Sequence, residues 1–224
     1  MRNDAPPAKY TRLNRDLYTY ILAHRTPDDA VVASLLAETA RLGSISGMQV
    51  APEQAAFLKL MVSTAGAKRA LEIGTFTGLS GLSIARGLAA GGKLLCLDVS
   101  EEWTAIARRH WERAGVLDRI DLRLGPALAT LRSLPERPTF DFVFLDADKK
   151  GYPAYWDEII LRLLPGGLVV VDNVLQDGDV ARPSVRRANT RAVRTFNDTV
   201  AADPRVESVM IAVADGLTLA RRRS

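Results

Sequence analysis

Apolar and polar positions alternate along the chain in two distinct ways. Short runs of large or β-branched apolar side chains recur at Arg69–Ile73, Lys93–Leu97, Ile120–Leu124, Phe140–Leu145 and Gly167–Val171, as in parallel strands covered on both faces. Between them apolar residues return at helical spacing, over Leu79–Leu88, from Ser100 to Gly115 and over Tyr152–Leu164, where Pro165, Gly166 and Gly167 end the pattern. Three more helices are expected ahead of the first strand. One spans Arg12–His24 with Leu13, Leu17, Tyr20 and Ile21 on a common stripe, and a second spans Asp28–Leu42. The third is entered through Pro52, ends at Gly66 and carries Phe57, Leu58, Met61 and Val62. After a helix near Thr190–Ala202, Val206–Val213 and Leu217–Ala220 flank Asp215-Gly216, a hairpin signal. The pattern predicts an α/β fold of five parallel strands closed by an antiparallel hairpin.

The stretch with the most chemistry is FDFVFLDADK, Phe140 to Lys149, where an apolar strand ends abruptly in Asp146, Asp148 and Lys149. The next strand repeats the arrangement and ends in Asp172 and Asn173. One helical crossover separates the two, so they should lie parallel and adjacent, with Asp146 and Asp172 at neighbouring carboxyl ends. Ligands of open α/β sheets bind outside those ends. Two carboxylates brought together favour a cation between them, and the Asn173 amide is a neutral oxygen ligand of the kind that Mg²⁺ or Ca²⁺ accepts. The competing reading is that Asp146 caps the following helix while Asp172-Asn173 forms an Asx turn.

Composition narrows the class. A chain of 224 residues with 47% hydrophobic residues suits one α/β domain. No apolar run has membrane-spanning length and the amino terminus lacks a secretory signal, so a soluble, cytoplasmic protein is expected. Cys96, the single cysteine, falls in an apolar run and reads as a core residue rather than a catalytic thiol. Net charge is +4, and from Ala181 onward nine arginines face four acids. Such a segment can attract phosphates, or it can be a solvated helix face with a frayed Arg221-Arg222-Arg223 tail. Met1 to Lys9 reads as a disordered or swinging arm. His24 and His110 sit in helices away from the strand ends and read as structural residues.

The first strand runs into Glu72-Ile73-Gly74-Thr75-Phe76-Thr77-Gly78-Leu79-Ser80, a glycine turn at a helix start. Gly74 allows a tight turn with close backbone approach to a ligand, and the helix start offers free N–H groups. The spacing is neither G-x-G-x-x-G nor a Gly-Lys-Ser/Thr loop, which demotes dinucleotides and triphosphates. Asp98 ends the second strand, 24 residues after Gly74, about the interval at which an acid accepts ribose hydroxyls. The third strand ends at Gly125-Pro126-Ala127, a third edge for the same ligand. Trp103, one turn into the next helix, serves equally as an adenine platform or a core aromatic.

Taken together, these features resemble the class I S-adenosylmethionine-dependent methyltransferases. LEIGTFTGLS, LDADK with the following Tyr152, and VVDNVL narrow the resemblance to the cation-dependent O-methyltransferases of the catechol and caffeoyl-coenzyme A type, especially small bacterial members. The resemblance covers roughly Leu17 to Arg221 and implies a Rossmann-like, seven-stranded, mostly parallel sheet with helices on both faces. It implies one methyltransferase domain over 1–224, with a helical extension (1–66) and a catalytic core (67–224). By resemblance, Asp146, Asp172 and Asn173 ligate Mg²⁺ (or Mn²⁺ or Ca²⁺), and Lys149 is the base or charge stabiliser at the reacting hydroxyl. Val50, Glu72, Gly74, Thr75, Ser80, Asp98, Ala127 and Asp148 would contact S-adenosylmethionine, and Asp177 the substrate. The implied acceptor is a catechol-like small molecule, with a homodimer as the assembly and neither nucleic acid nor membrane as partner. An RNA methyltransferase using the arginine-rich end is the alternative, and a non-catalytic nucleotide-binding module a third reading. The loop LQDGDVARPSVRRANTR departs from relatives that carry an aromatic and fewer charges there, which leaves the acceptor open.

Overall fold

The computed structural model describes residues 9–224, so the expected amino-terminal arm, apart from Lys9, lies outside the described residues. The apolar runs become β1 (Arg69–Ile73), β2 (Lys93–Asp98), β3 (Ile120–Leu124), β4 (Phe140–Leu145) and β5 (Leu163–Asp172), and the hairpin becomes β6 (Val206–Ile211) and β7 (Leu217–Arg222). They form one seven-stranded sheet in the order β3-β2-β1-β4-β5-β7-β6. The first five strands pair in parallel; β7 runs antiparallel to both β5 and β6. This is the Rossmann-like, mostly parallel sheet with a terminal antiparallel hairpin that the pattern predicts. Strand order reverses between β1 and β4, so the chain leaves in opposite directions there and a crevice opens at their carboxyl ends.

Helices α1 (Arg15–Ala23), α2 (Ala30–Ala40), α3 (Pro52–Ala65), α4 (Leu79–Gly87) and α5 (Glu101–Arg113) precede β3; α6 (Ala127–Ser133), α7 (Tyr152–Arg162) and α8 (Ala188–Ala202) follow it. Successive side chains of a strand point to opposite faces, and β4 shows the result. Phe142 and Phe144 enter one core with Leu35, Leu58, Val62, Leu82 and Trp111, whereas Val143 and Leu145 enter the other with Tyr152, Trp156, Ile159 and Phe196. Each such side chain contributes roughly 1.5–3 kcal/mol on full burial. Because Leu58 and Val62 of α3 belong to the first core, the helices before β1 are packed onto the sheet.

Three boundaries differ from the pattern. Strand β5 starts at Leu163, paired with Phe140 ahead of a register shift, so Pro165-Gly166-Gly167 lie within the strand instead of ending a helix at Leu164. Helix α6 was not expected, because its seven residues carry no side-chain N-cap. The first hairpin strand stops at Ile211, short of Val213, while the second runs on past Ala220 to Arg222, and the turn is wider than Asp215-Gly216 alone, with Ala214 (φ 48°) and Gly216 (φ 83°) in the left-handed region. No helix among the described residues is long and apolar enough to cross a membrane.

Candidate active site

The glycine turn after β1 is built by close backbone approach. At Gly74 φ is 89°, and a Cβ there would sit 1.8 Å from the Asp146 carbonyl oxygen. The ends of β1 and β4 therefore touch backbone to backbone, with Asp146 N donating to Ile73 O at 2.9 Å. Gly78, at φ 86°, is packed on α5, where a Cβ would meet Ala107 at 2.5 Å, and Trp111 Nε1 donates to its carbonyl at 2.9 Å. Asp98 holds the turn from the neighbouring strand. Its Oδ2 accepts the backbone N–H groups of Thr75 and Phe76, both at 2.8 Å, and its Oδ1 accepts that of Ser100 at 2.8 Å.

Beneath the turn lies Glu72, fully buried. Its Oε2 accepts from Thr75 Oγ1 at 2.9 Å and from Cys96 Sγ at 3.2 Å, while Oε1 has no partner. Burial raises its pKa from 4.5 to about 7, against the lowering effect of hydrogen bonds from Ser80, Cys96 and Thr75. Cys96 is thus a core residue, as its sequence context predicts.

Above these strand ends runs a crevice of about 880 Å³. Of the predicted donor contacts, Val50, Gly74, Thr75, Ser80, Asp98, Ala127 and Asp148 line it, together with Asp146, Lys149, Asp172 and Asn173. Glu72 does not: it stands behind the wall and meets the crevice through Thr75 and Ser80, which line it. Asp177 does not either, because it borders an adjoining cavity. The Asp148 carboxylate is engaged by Gly151 N at 2.9 Å and Tyr155 Oη at 2.7 Å. Trp103 is on the wall and packs edge-on against Phe76, centroids 5.1 Å apart, which settles its placement beside the ligand space. Both histidines lie elsewhere: His24 stacks on Tyr20, and His110 is buried with Nδ1 3.0 Å from Ile106 O.

The register of β4 and β5 pairs Leu145 with Val171, which sets Asp146 and Asp172 side by side. Asp172 is 2% exposed. Burial first, and then the charge of Asp146, raise its pKa from 3.8 to about 7, opposed by the Gln54 amide, the Asn173 N–H and Lys149. A cation already sits among these groups, since Lys149 Nζ donates to Asp146 Oδ1 at 2.8 Å, Asn173 Oδ1 at 2.7 Å and Tyr152 Oη at 2.7 Å. Tyr152 Oη in turn donates to Asp172 O at 3.1 Å. Asn173 reaches the centre through a left-handed backbone, φ 54°, a strain characteristic of functional loops.

The Asp146 carboxylate and the Asn173 amide oxygen meet at one cation position, and the Asp172 carboxylate is close enough to feel the charges of Asp146 and Lys149; together they form a donor set of the kind that fits a hard divalent ion. Among the described residues no group of three or more His, Cys, Asp or Glu side chains could hold a metal. The candidate set differs from such a group in using an amide as its third ligand.

Sequence reasoning missed Gln49, Gln54, Phe76, Tyr155, Asn189, Ala214 and Asp215, all on the crevice wall. Gln54 carried a signal, a glutamine in the first turn behind Pro52: its Oε1 accepts from Ala51 N at 3.3 Å, and its amide lies against Asp172. The helices ahead of β1 thus supply part of the wall. Asp215 and Asn189 come from a hairpin turn and a helix start with no local pattern that marks a site.

A sheet of this order with its crevice at the switch point is the class I methyltransferase fold. The chain belongs to the O-methyltransferase family, whose model matches residues 23–223. It is 36% identical over 226 residues to a probable caffeoyl-CoA O-methyltransferase 2 of Dictyostelium discoideum, covering 98% of each chain. It is 38% identical over 219 residues to a caffeoyl-CoA O-methyltransferase of Petroselinum crispum, covering 93% of this chain and 91% of that one. Among solved structures, the O-methyltransferase from Bacillus cereus in complex with SAH superimposes with TM-score 0.84 at 33% identity, covering 93% of this chain and 97% of that one. The O-methyltransferase TomG from Streptomyces achromogenes, involved in tomaymycin synthesis and in complex with SAM, gives 0.85 at 29%, covering 93% and 96%.

Proposed function

We propose that this O-methyltransferase is divalent-cation-dependent, with Mg²⁺ the preferred ion, and moves the methyl group of S-adenosylmethionine to one hydroxyl of a catechol-like small molecule. The observation that carries the reading is that Asp146 and Asn173 share one cation position on the crevice wall, with the buried Asp172 close enough to feel its charge. The SAH and SAM bound to the Bacillus and Streptomyces neighbours support the donor.

In this reading Asp146, Asp172 and Asn173 hold the ion, which when bound acidifies a coordinated hydroxyl and fixes its orientation. The rest of the work falls to side chains. Gly74 lets the turn close onto the Asp146 backbone and so shapes the donor's seat, Asp98 accepts the donor's ribose hydroxyls while holding the Thr75 and Phe76 amides, and Phe76 with Trp103 covers the adenine. Lys149 Nζ lies within hydrogen-bond reach of Asp146 Oδ1, Asn173 Oδ1 and Tyr152 Oη, beside the point where the acceptor oxygen would sit. Its role is to face the phenolate oxygen as negative charge gathers there, tethered by Tyr152 Oη. Methyl transfer is then an in-line displacement from sulfonium to phenolate, aligned by the crevice walls.

The arginine-rich segment supports a small acceptor over RNA. Arg182 and Arg187 pair with Asp179, Arg205 pairs with Asp203, and Arg194, Arg222 and Arg223 donate to backbone carbonyls. Six of the segment's nine arginines thus have partners within the chain, although Arg182 and Arg187 stay largely exposed beside Asp179, and this favours a small acceptor over an extended phosphate surface. The test is a panel of catechols and an RNA substrate assayed with S-adenosylmethionine, with and without EDTA. Chelation should abolish catechol turnover, and turnover indifferent to EDTA would reject the metal role.

A further inference from the structure

A second cavity, of about 410 Å³, adjoins the crevice, and Asn189 and Asp215 line both. Every residue on its wall except Ala188 is polar or charged. Acids and bases share that wall: Asp177, Asp179 and Asp215 with Lys150 and Arg187. Asp179 is already engaged by Arg187 at 3.3 Å and by a second arginine. Asp177, Asp215 and Lys150, by contrast, form no ion pair among the described residues, so charges of opposite sign face a common space without meeting across it. The wall is also preformed. Asp177 stands in the left-handed region at φ 55°, and its N–H donates to Asp215 Oδ1 at 2.7 Å, so one acid of the cavity fixes the loop that carries another. Asp215 further feels the charge of Lys149, which places it between the transfer point and the annex.

Building on the function proposed above, we infer that this annex receives the tail of the acceptor and selects a zwitterionic one. The tail's ammonium group faces Asp215 and Asp177, and its carboxylate faces Arg187 and Lys150. A tail with only negative charge would meet the acids, one with only positive charge would meet Arg187 and Lys150, and a neutral tail would leave both sets of charges to water. A zwitterion satisfies both.

The experiment compares four acceptors with the same ring: 4-methylcatechol, dopamine, 3-(3,4-dihydroxyphenyl)propionate and 3,4-dihydroxyphenylalanine. One charge-assisted contact is worth about tenfold in specificity, so kcat/KM for the zwitterion should exceed that of either singly charged acceptor by about that factor. Asp215→Asn should remove its advantage over the propionate, and Arg187→Gln its advantage over dopamine. Equal kcat/KM across the four, a preference for 4-methylcatechol, or variants that lower all four by one common factor would overturn the annex. If none is methylated, the proposed function falls. Calorimetric titration of the same four compounds into protein saturated with S-adenosylhomocysteine still decides the annex: tighter binding of the zwitterion supports it, and equal or undetectable binding of all four overturns it.

Discussion

Replacing Lys149 with methionine removes an ammonium but keeps an apolar stem of similar reach, and it separates two roles that one side chain combines. In the ligand-free protein Nζ donates to Asp146 Oδ1 at 2.8 Å and Asn173 Oδ1 at 2.7 Å, the same oxygens that would hold a divalent ion. An incoming ion must displace two charge-assisted hydrogen bonds, each with a net worth of about 1.5–3 kcal/mol. Solvation of the released ammonium and its remaining bond to Tyr152 Oη offset part of that, which leaves about 1.5–3 kcal/mol in total. The variant should therefore bind Mg²⁺ or Mn²⁺ roughly 10- to 100-fold more tightly, while kcat on a catechol falls by about 10²- to 10³-fold. Calorimetric titration of chelator-stripped protein with Mn²⁺ at pH 8 measures the first effect, and saturating-metal kinetics measures the second. Unchanged or weaker metal affinity in the variant would show that the ammonium does not compete for the ion's place.

Other changes read other parts of the site. Because the folded pKa of Glu72 is raised from 4.5 to about 7, the folded state holds the extra proton and ligand-free stability should fall as pH rises between those values, by about 3 kcal/mol in all. Glu72→Gln should flatten that slope in urea melts at pH 5 and pH 8, and an unaltered slope would assign it elsewhere. Gly74→Ala forces a Cβ to within 1.8 Å of the Asp146 carbonyl at φ 89°, so it should cost about 3 kcal/mol or more and weaken donor binding together with Tm. Asp98→Ala frees the Thr75 and Phe76 amides and should raise the Kd for S-adenosylhomocysteine at least about 30-fold, as two hydrogen bonds of about 1 kcal/mol each and a ribose contact are lost.

The sheet was legible because its strands are buried on both faces: a run such as Phe140–Leu145 has no soluble alternative, and three of the five parallel-strand boundaries fall where the apolar pattern puts them. What escaped the pattern was set by tertiary contact. Strand β5 extends back to Leu163 because Phe140 offers it a pairing partner, and nothing in Leu163-Leu164-Pro165-Gly166-Gly167 distinguishes that from a helix end. The short helix α6 forms without a side-chain cap because Leu131 is fully buried in the second core, a driving force that local propensity does not register.

The site divides along the same line. Residues at strand ends reach the crevice because the sheet fixes where strand ends go: Gly74, Asp98, Asp146 and Asp172 all line it. Glu72 shows the limit of that logic. It belongs to the same motif as Gly74, but it lies within β1 whereas Gly74 follows the strand's end, and its side chain is buried behind the turn with Cys96 and Thr75 instead of lining the crevice. Asp215 shows the converse, an acid in an unremarkable turn brought to the crevice by the antiparallel pairing of β5 with β7, where Asp172 lies opposite Leu217. That pairing places two residues before Leu217 beside the end of the strand that carries the candidate metal ligands. The hairpin that closes the sheet therefore also delivers a charge to the crevice beside Asp172 and Asn173, and under the proposed function differences in that turn should change acceptor choice while leaving donor affinity unaltered.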